Sequence, residues 1–579
     1  MGPVFCSACV NRNILTLSYH AVLLAVIIFP HLSFASDIPT SNAIAALEKL
    51  GACVETDPSC PGNPAIGLRL HQVGFGANEL AHIKQLVHLR TVDLACATLT
   101  DAALAHLADL PNVEVLDLTG TAVSDIGIAR LARLTKLRVL KIGSTAVTGS
   151  GLLNNNHPNL RELDLSATKV SDENLAALSA FTRLEVLNLN ATSISDNGFR
   201  QIRLLKETTT LMVRSTLITD AGLAVLEGLP KLQALDLYGT RVTDVGLIHV
   251  CASKQLESLC LEKTGITDTG LHELGNLTQL QSLSLRQTAV SDQGLEYVAK
   301  LSNLRQLDLA DTSITDNGMR RLQGLNKLET LRLNRTAISG DGIKYLNTLN
   351  RLQTLQLRGT KVSGSGFEKV TSFRHLRELD VASSEVDDVG LKQFVVFERL
   401  EVLDLASTRV TGDGLKWLSG LKRLQSLTIA LNDEVSDGGL AALTELSALR
   451  RLDLRFTPIT DIGVGHLKTL KQLEYLNLGD TKLTDAGVGV VCSLPNIRAL
   501  AIDGTLVTDA GLARVKEMKE IRSLWIGGPY ITDLGLAHLS TNHKLRNVVV
   551  DGKSGVTNGG IEALRKALPL ANIYMPASK

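Results

Sequence analysis

The sequence has few aromatic residues and no excess of charge of either sign. Phe, Tyr and Trp make up 3% of the 579 residues, so stacking surfaces for bases or sugar rings are scarce. Lys plus Arg and Asp plus Glu are both 59, and the formal net charge is therefore zero. This balance gives no basic excess that would indicate a nucleic-acid partner, and no acidic excess that would indicate a cationic one.

The sequence also lacks the short motifs of common active sites. It has no H-E-x-x-H, no pair of C-x-x-C motifs, no G-x-x-x-x-G-K-[ST], and no G-x-S-x-G between a strand and a helix. Its 13 histidines do not recur at a fixed spacing. We therefore expect a protein that is not an enzyme and that holds no cofactor and no metal ion.

Long hydrophobic runs are absent, but a short one lies near the N-terminus. Arg12 precedes an apolar run from Ala21 to Pro30, and Ser33 and Ala35 supply the small residues of a cleavage site. The run is about ten residues long, whereas a membrane span needs about twenty. Residues 1–35 are therefore predicted to be a secretory signal peptide, with an uncleaved signal anchor as the alternative. We expect a secreted, periplasmic or cell-surface protein with no stable membrane span in the mature chain.

What the sequence does contain is a threonine that recurs at one fixed interval. Its positions in unbroken register are Thr168, Thr192, Thr216, Thr240, Thr264, Thr288, Thr312, Thr336 and Thr360. A fixed period of this size indicates one supersecondary unit stacked many times, which is a solenoid. We interpret the hydroxyls as structural groups that satisfy a backbone N–H or C=O of the next coil.

One repeat, residues 304–327, shows how each unit is built. Leu307 and Leu309 alternate with polar residues, which predicts a short strand with one buried face. Met319 and Leu322 then begin an apolar stripe of period three, which is typical of a short helix. Each unit is therefore predicted to be a strand, a turn and a short helix.

An aspartate recurs at the start of the predicted helices. In residues 304–327, Thr315 lies at the expected N-cap and Asp316 follows in the first turn, where negative charge suits the helix dipole. The column comprises Asp125, Asp172, Asp196, Asp220, Asp244, Asp268, Asp292, Asp316, Asp437, Asp461, Asp485, Asp509 and Asp533. Glycine replaces it at Gly149, Gly340, Gly364 and Gly412. We interpret the column as helix capping; a ladder of calcium ligands is the alternative, although it would lose ligands at the glycines.

The strand pattern L-x-x-L-x-L is the signature of leucine-rich repeats. Its continuation T-x-[VI]-[ST]-D-x-G-L resembles the cysteine-containing subtype, in which the position of Thr312 is usually cysteine or asparagine. Threonine there is shared by secreted bacterial repeat proteins that this chain resembles from about residue 66 to 579. The resemblance implies an α/β solenoid, a leucine-rich-repeat horseshoe with a parallel sheet on its concave side and short helices on its convex side.

Small slips in the register and the two ends suggest the domain organisation. The interval is one residue shorter through 154–158 and one residue longer through Asn432 and Asp433, and we expect both places to form loops on the outer rim. Residues 66–555 are predicted to be one solenoid of about 20 repeats of about 24 residues. We expect residues 36–65 to form an N-terminal cap, a helix plus a hairpin, and residues 556–579 to form the last repeat and a C-terminal cap.

Export would permit disulfide bonds, and two cysteines lie in the predicted N-terminal cap. We expect Cys53 and Cys60 to be bridged, although a C-x6-C spacing fixes no geometry. The other cysteines beyond the signal peptide are interpreted as packing residues. They are Cys96, Cys251, Cys260 and Cys492.

Candidate binding residues lie on the strands at positions that point away from the leucine core. Arg286, Arg332, Arg335 and Arg358 converge within four neighbouring repeats, with Asp308 among them. We predict a charge ladder in which Asp308 pairs with its arginine neighbours across the strands, each exposed pair contributing under about 1 kcal/mol. The alternative is a patch that recognises an anion or an acidic partner.

A second candidate surface lies nearer the C-terminus. It contains Arg455, Phe456 and Trp525, and Trp525 is one of only two tryptophans in the chain. A tryptophan that faces outward from its strand is a suitable interface anchor. The alternative is that it covers the end of the repeat array.

These observations favour an exported, non-enzymatic scaffold that binds a protein, or a glycan, on its concave face. By family analogy, an alternative is a substrate receptor of a ubiquitin ligase, although the stretch before the repeats, 1–65, leaves no room for an F-box. A structural envelope protein is a further alternative. No nucleic-acid partner is expected.

Overall fold

The computed structural model describes residues 38–60, 62–71, 80–153 and 157–576. The predicted signal peptide, residues 1–35, and most of the irregular stretch at 154–158 lie outside the described residues. The chain divides into two compact units, the first ending at Leu256 and the second beginning at Glu257.

The first unit opens with an antiparallel hairpin and continues as a parallel sheet. Its strands are β1 (Cys53–Thr56), β2 (Ala65–Arg69), β3 (Thr91–Asp93), β4 (Val115–Asp117), β5 (Val139–Lys141), β6 (Glu162–Asp164), β7 (Val186–Asn188), β8 (Thr210–Met212) and β9 (Ala234–Asp236). β1 pairs antiparallel with β2, and β2 to β9 then pair in parallel, each with the next along the chain.

The second unit is a parallel sheet in strict chain order. Its strands are β10 (Ser258–Cys260), β11 (Ser282–Ser284), β12 (Gln306–Asp308), β13 (Thr330–Arg332), β14 (Thr354–Gln356), β15 (Glu378–Asp380), β16 (Val402–Asp404), β17 (Ser426–Thr428), β18 (Arg451–Asp453), β19 (Tyr475–Asn477), β20 (Ala499–Ala501), β21 (Ser523–Ile526), β22 (Asn547–Val550) and β23 (Asn572–Tyr574). The register places the buried leucines of neighbouring strands opposite each other, as Leu283 opposite Leu307. This stacking builds a continuous core from side chains that no single repeat could bury.

A short helical segment returns each strand to the next. In the first unit the α-helices are Ile38–Lys49, Asp101–Leu104, Asp125–Arg130, Asp196–Phe199 and Leu247–Val250, and the 3₁₀ segments are Ala81–Gln85, Leu131–Arg133, Ser150–Leu152, Asp172–Ala180, Arg200–Leu204 and Gly222–Gly228. In the second unit the α-helices are Leu271–Leu274, Leu295–Val298, Asp316–Met319, Gly340–Ile343, Asp388–Phe394, Asp461–His466, Asp485–Val491, Asp509–Val515, Asp533–Leu539 and Asn558–Ala567. Its 3₁₀ segments are Arg320–Gly324, Lys344–Thr348, Gly364–Phe367, Gly414–Gly420, Asp437–Glu445 and Leu467–Thr469. This alternation of strands and short helices is the predicted α/β solenoid.

The recurrent threonine is buried and bonds within its own repeat. Thr312 Oγ1, for example, donates to the carbonyl oxygen of Leu309, three residues earlier. The same bond, 2.5–2.8 Å long, is made by the column members on both sides. The predicted ladder between coils is therefore wrong for the threonines. The hydroxyl instead satisfies a carbonyl left free where the chain leaves the strand.

The link between repeats is made by the aspartate column. Asp292 Oδ1 accepts the backbone N–H of Thr315 at 2.8 Å, and Asp292 Oδ2 accepts the Thr315 hydroxyl at 2.5 Å. Thr315 Oγ1 in turn accepts the N–H of Asn317 and caps its own helix. The threonine is thus the N-cap, as predicted. The aspartate, however, accepts hydrogen bonds from the N-cap residue of the following repeat. The same pair of bonds recurs along both units, for example from Asp196 and Asp485.

This aspartate explains the glycine of the D-x-G-L motif. A Cβ at Gly318 would overlap Asp292 Oδ1 of the preceding repeat, and Gly342 has the same relation to Asp316. Where glycine replaces the aspartate, the two backbones approach directly, and a Cβ at Gly366 would lie 2.6 Å from Gly340 Cα. Glycine is therefore required by inter-repeat contact rather than by backbone conformation, since these glycines have ordinary negative φ.

A side chain from the preceding helix donates hydrogen bonds to the last strand, β23. Arg565, in the helix Asn558–Ala567, donates from Nε and Nη2 to the carbonyl oxygen of Ile573 in β23, at 3.3 and 2.8 Å. Edge strands expose unpaired backbone groups that other chains can bind. The guanidinium satisfies one such carbonyl.

Candidate binding surface

The side of the sheet away from the leucine core carries the candidate residues, and we call it the polar strand face. It is formed by the first and third residues of each short strand and by the residues two and three positions after the strand. The third residue is often Asp or Asn, whose side-chain oxygen accepts the backbone N–H two residues later. Asp308 Oδ1 accepts from Ala310 N at 3.0 Å, and Asn477 Oδ1 accepts from Gly479 N at 3.0 Å. These side chains therefore shape the turn that follows each strand.

The third residue after each of the strands β3 to β20 has a left-handed backbone. Its φ is +58° at Asp311 and +54° at Arg335, and glycine takes the position at Gly359 and Gly504. The N–H of each of these residues bonds the carbonyl that precedes the corresponding residue of the next repeat, as from Asp311 to Asn334 at 2.8 Å. We call this series the left-handed column.

Two of the four predicted arginines converge on a residue that the sequence did not suggest. Arg286 Nε donates to Asp311 Oδ2 at 3.1 Å, and Arg335 Nη2 donates to the same oxygen at 2.6 Å. Hydrogen bonds from Arg335, followed by those from Arg286, lower the pKa of Asp311. The predicted pairing partner, Asp308, forms no ion pair with a described residue, so Asp311 takes the role expected of Asp308.

A third arginine reaches across two repeats. Arg358 Nε lies 3.1 Å from Asp380 Oδ2, and Arg358 Nη2 bonds Asp404, one repeat further. Two positions after β15 and β16 the face has small buried side chains, Ala382 and Ala406. Arg332 differs from the other three arginines, since it forms no ion pair with a described residue.

Asp308 is a half-buried carboxylate, which gives a pH-dependent prediction. Burial raises its pKa, and the partial compensation comes from Ala310 N–H and the charges of Arg332 and Arg286. A raised folded-state pKa means that the contribution of Asp308 to stability is present below its unfolded pKa, about 3.9, and is lost as the pH rises through the folded value.

Asp308→Asn should therefore stabilise the protein at pH 7, by about 1 °C in Tm, and the gain should vanish below about pH 4. Asparagine keeps the turn, since Asn188 and Asn477 make the same bond at this position. Thermal unfolding of both proteins from pH 3 to 8 checks this. An unchanged or lower Tm for the variant at pH 7 would show that the carboxylate is well compensated.

Two large apolar side chains stand out in the left-handed column. Leu431 and Phe456 have φ of +60° and +54°, and their side chains are 49% and 47% exposed. They belong to neighbouring repeats, because Leu431 N donates to Arg455 O, the carbonyl directly before Phe456. A bulky residue with positive φ is uncommon and costs free energy. Every other column member with positive φ is glycine, alanine, cysteine or polar.

Trp525 lies at the C-terminal end of the same face. The strand register places it between Ala501 and Val549, and Val549 is followed by Tyr574, which is 51% exposed. We call these four residues the apolar row. The small Ala501 leaves one side of the half-buried indole open.

An acidic group begins in the repeat after Phe456 and continues beside the apolar row. It consists of Asp480, Asp503 and Asp551, which follow β19, β20 and β22. Burial raises the pKa of Asp503, and the negative charges of Asp480 and Asp551 raise it further, while Arg455 offsets part of the effect. The carboxylates therefore repel one another more than the local arginine compensates.

The predicted Cys53–Cys60 disulfide is not formed, since both thiols are free and exposed. Cys53 pairs with Arg69 at the end of the hairpin away from the turn, whereas Cys60 lies in the turn, where its Sγ donates to Asp57 Oδ2 at 3.3 Å. The extended strand Cys53–Thr56 alone spans about 10 Å, more than a disulfide allows between two Cα atoms. Cys492 is consistent with a packing role, because burial raises the pKa of its thiol to about 11.

The described residues carry neither a metal-binding group of side chains nor a helix able to cross a membrane. Within them, no group of three or more His, Cys, Asp or Glu side chains is arranged to hold a metal ion. No helix of the described segments combines the length and the apolar character that a bilayer crossing requires.

Sequence reasoning located Arg286, Arg335, Arg358, Phe456 and Trp525 on one face but missed Asp311 and Leu431. Both missed residues belong to the left-handed column, which no residue type marks in the sequence. The available signal was positional. Aligning all repeats on the threonine shows Leu431 and Phe456 as the large apolar residues at a position otherwise small or polar.

Comparisons with known proteins agree with the architecture. The family model described as a leucine-rich repeat region matches residues 212–568, more than half of the chain. No curated protein matches.

Similar solved structures include an internalin from Listeria monocytogenes, at 20% identity, covering 65% of this chain and 89% of that chain with a TM-score of 0.41. A leucine-rich-repeat protein of Leptospira interrogans is 18% identical and covers 82% and 97% of the two chains, with a TM-score of 0.39. The TLR13–ssRNA13 complex is 16% identical and covers 85% of each, with a TM-score of 0.49. The chain belongs to the leucine-rich repeat family.

Proposed function

We propose that this chain is an exported, non-enzymatic scaffold that binds a protein partner through the polar strand face of its second unit. The observation that carries the proposal is the exposed pair of Leu431 and Phe456. Soluble proteins scatter single apolar residues over their surfaces, but adjacent large ones are typical of interaction sites. Here they also occupy backbone positions that disfavour them, so packing and folding give no reason for their presence.

The two residues are placed to act together. At four glycines of the left-handed column, the nearest atoms to a Cβ belong to the column residue of the preceding repeat. Asp480, for instance, lies against Gly504 in this way. By the same geometry we expect Leu431 to lie against Phe456, so that the pair would present one continuous apolar surface.

The surroundings define the partner's chemistry. The acidic group of Asp480, Asp503 and Asp551 begins in the repeat after Phe456 and continues beside the apolar row, which contains Trp525. A partner segment that combines apolar side chains with Lys or Arg would cover both apolar surfaces and neutralise carboxylates that now repel one another. We therefore assign the anchor role to Phe456, Leu431 and Trp525.

The predicted arginine patch has a different place in this proposal. Arg286 and Arg335 hold Asp311, and Arg358 holds Asp380 and Asp404, so these charges stabilise the face. Arg332 forms no such pair with a described residue and is the arginine available to a ligand. It would meet an acidic group of the partner at the other end of the contact.

Export and end-capping complete the proposal. Residues 1–35 would direct secretion, residues 36–65 would shield the N-terminal edge through the helix Ile38–Lys49 and the hairpin, and residues 556–579 would close the C-terminal edge. The bonds from Arg565 to Ile573 O support the last assignment. N-terminal sequencing of the protein after cell fractionation tests the first.

Selection of peptides from a random library on the purified full chain tests the binding surface. We expect enriched peptides to combine apolar and basic residues, and Phe456→Asp to weaken their binding at least tenfold. The matched control is Ile462→Asp, because Ile462 is apolar and 72% exposed but lies on a helix away from the face. Equal binding by the wild type and both variants would place the binding surface elsewhere.

A further inference from the structure

A depression with a volume of about 460 Å³ lies in the second unit, at the turns between helix and strand of two neighbouring repeats. It is on the rim of the repeats and does not include residues of the polar strand face. Its lining residues are Asn350, Arg351, Thr371, Ser372, Arg374 and His375.

In one of these two repeats the helical segment ends early, at Phe367. The preceding repeat is helical from Gly340 to Thr348, whereas the repeat that follows it is helical only over Gly364–Phe367. Thr371 N and Ser372 N both donate to Asn347 Oδ1, at 2.9 and 3.1 Å, and this holds the chain out of the helix. The missing turn leaves a concavity where neighbouring repeats have backbone.

The charges on this part of the rim are unusual. Five consecutive repeats have a basic residue or histidine three positions before the strand: Lys327, Arg351, His375, Arg399 and Arg423. At the same position elsewhere, Lys231 pairs with Glu207 at 2.6 Å and Lys544 with Glu520 at 2.9 Å, and most other repeats have a neutral residue there, such as Gln255 or Asn496.

Within this basic series the side chains find no acidic partner among the described residues. Arg351 and Arg374 form no ion pair with any residue in the described part of the chain. Arg399 Nη1 donates to His375 Nδ1 at 3.0 Å, so its described partner is a ring nitrogen and not a carboxylate. Clustered positive charges repel one another, and an anion placed among them would relieve the repulsion.

A hydroxyl group in the depression also lacks a partner. Ser372 Oγ is buried and forms no hydrogen bond with the described residues. Buried hydroxyls are satisfied as a rule, by protein, water or ligand. Its position among unpaired guanidinium groups gives the depression both charge and a neutral hydrogen-bond donor.

We propose that this depression binds a sulfate or phosphate group, held by the guanidinium groups of Arg351 and Arg374 and by the Ser372 hydroxyl. Arginine forks match the oxygens of such tetrahedral anions. The site is independent of the protein-binding surface and of the proposed function.

Titration of the full chain with sodium sulfate and with sodium phosphate, followed by calorimetry at constant ionic strength, tests the site. We expect saturable binding to one site per chain and at least a tenfold loss of affinity in the Arg351→Ala/Arg374→Ala double variant. Arg423→Ala is the matched control, since Arg423 belongs to the same series but does not line the depression; it should bind like the wild type. Phe456→Asp should also bind like the wild type.

The two anions distinguish the source of the group. Stronger binding of phosphate would assign the site to phosphate groups, stronger binding of sulfate would assign it to sulfate groups, and equal binding would show that it recognises the shared charge and shape. Absence of saturable binding by both anions would overturn the proposal. So would a double variant that binds as tightly as the wild type, with circular dichroism showing that it is folded.

Discussion

Replacing Gly439 with alanine is expected to destabilise the second unit by about 3 kcal/mol, because the new methyl group has no space. A Cβ at Gly439 would lie 2.6 Å from Gly412 Cα and 2.7 Å from Gly412 O, in the preceding repeat. Both are backbone atoms, so no side-chain rotation relieves the overlap. The urea midpoint of the unfolding transition, followed by circular dichroism, measures the effect.

The adjacent glycine is a matched control. Gly438 is in the same segment, Asp437–Glu445, but a Cβ there would meet nothing within 4 Å. Gly438→Ala should be neutral or slightly stabilising, by up to about 1 kcal/mol, because alanine favours helical backbone. Equal midpoints for the two variants would mean that the repeats are not in the close contact described.

The second large effect is expected at Asn432, which replaces the recurrent threonine in one repeat. Its Nδ2 donates to the carbonyl oxygens of Leu405 and Ile429, at 2.9 and 2.8 Å, and its Oδ1 accepts from Thr408 N at 2.9 Å. The residue is 2% exposed. Asn432→Ala should cost about 4 kcal/mol, since several buried backbone groups lose their partner at once.

A graded series separates this cause from simple loss of volume. Asn432→Thr should recover part of the stability, because Thr457 at the equivalent position bonds its own repeat at 2.5 Å. It would still lack the bonds to Leu405 and Thr408 of the preceding repeat. Asp433→Ala, at the exposed neighbouring residue, should change little. Midpoints that do not fall in this order would show that the amide is not a bridge.

The burial of Asn432 is a feature that the sequence did not predict. The additional residue in this repeat was expected in a loop on the outer rim with Asn432 and Asp433. The structure instead buries Asn432 in the threonine column and leaves Asp433 exposed, so the insertion falls after the column. The family position is usually cysteine or asparagine, but the threonines on both sides concealed that Asn432 was the family residue.

The period and the leucine pattern were enough to predict the fold, because they report which side chains are buried in every repeat. They could not show what the polar columns bond. An aspartate in the first turn of a helix suits the helix dipole. The spacing of the column is the same whether each aspartate caps its own helix or bonds the next repeat, as Asp292 bonds Thr315. Only the distance between neighbouring repeats decides this, and a one-dimensional pattern does not contain it.

The candidate surface was predictable to a lesser degree. Alternation along the strands placed Arg358 and Trp525 on the correct face, since it depends only on the strand period. The pairing of Arg286 and Arg335 with Asp311 depends on a left-handed turn after the strand. That turn accepts aspartate, serine, glycine and phenylalanine alike, so no residue type predicts it.

The central claim is that hydrogen bonds to the aspartate column join each repeat to the next. A double-mutant cycle on Asp485→Ala and Thr508→Val tests it most directly, because Asp485 accepts both the N–H and the hydroxyl of Thr508. We predict a coupling free energy of about 1 kcal/mol between the two sites, and none in a control cycle of Asp461→Ala with Thr508→Val. A coupling between Asp485 and Thr508 no larger than that of the control would contradict the account.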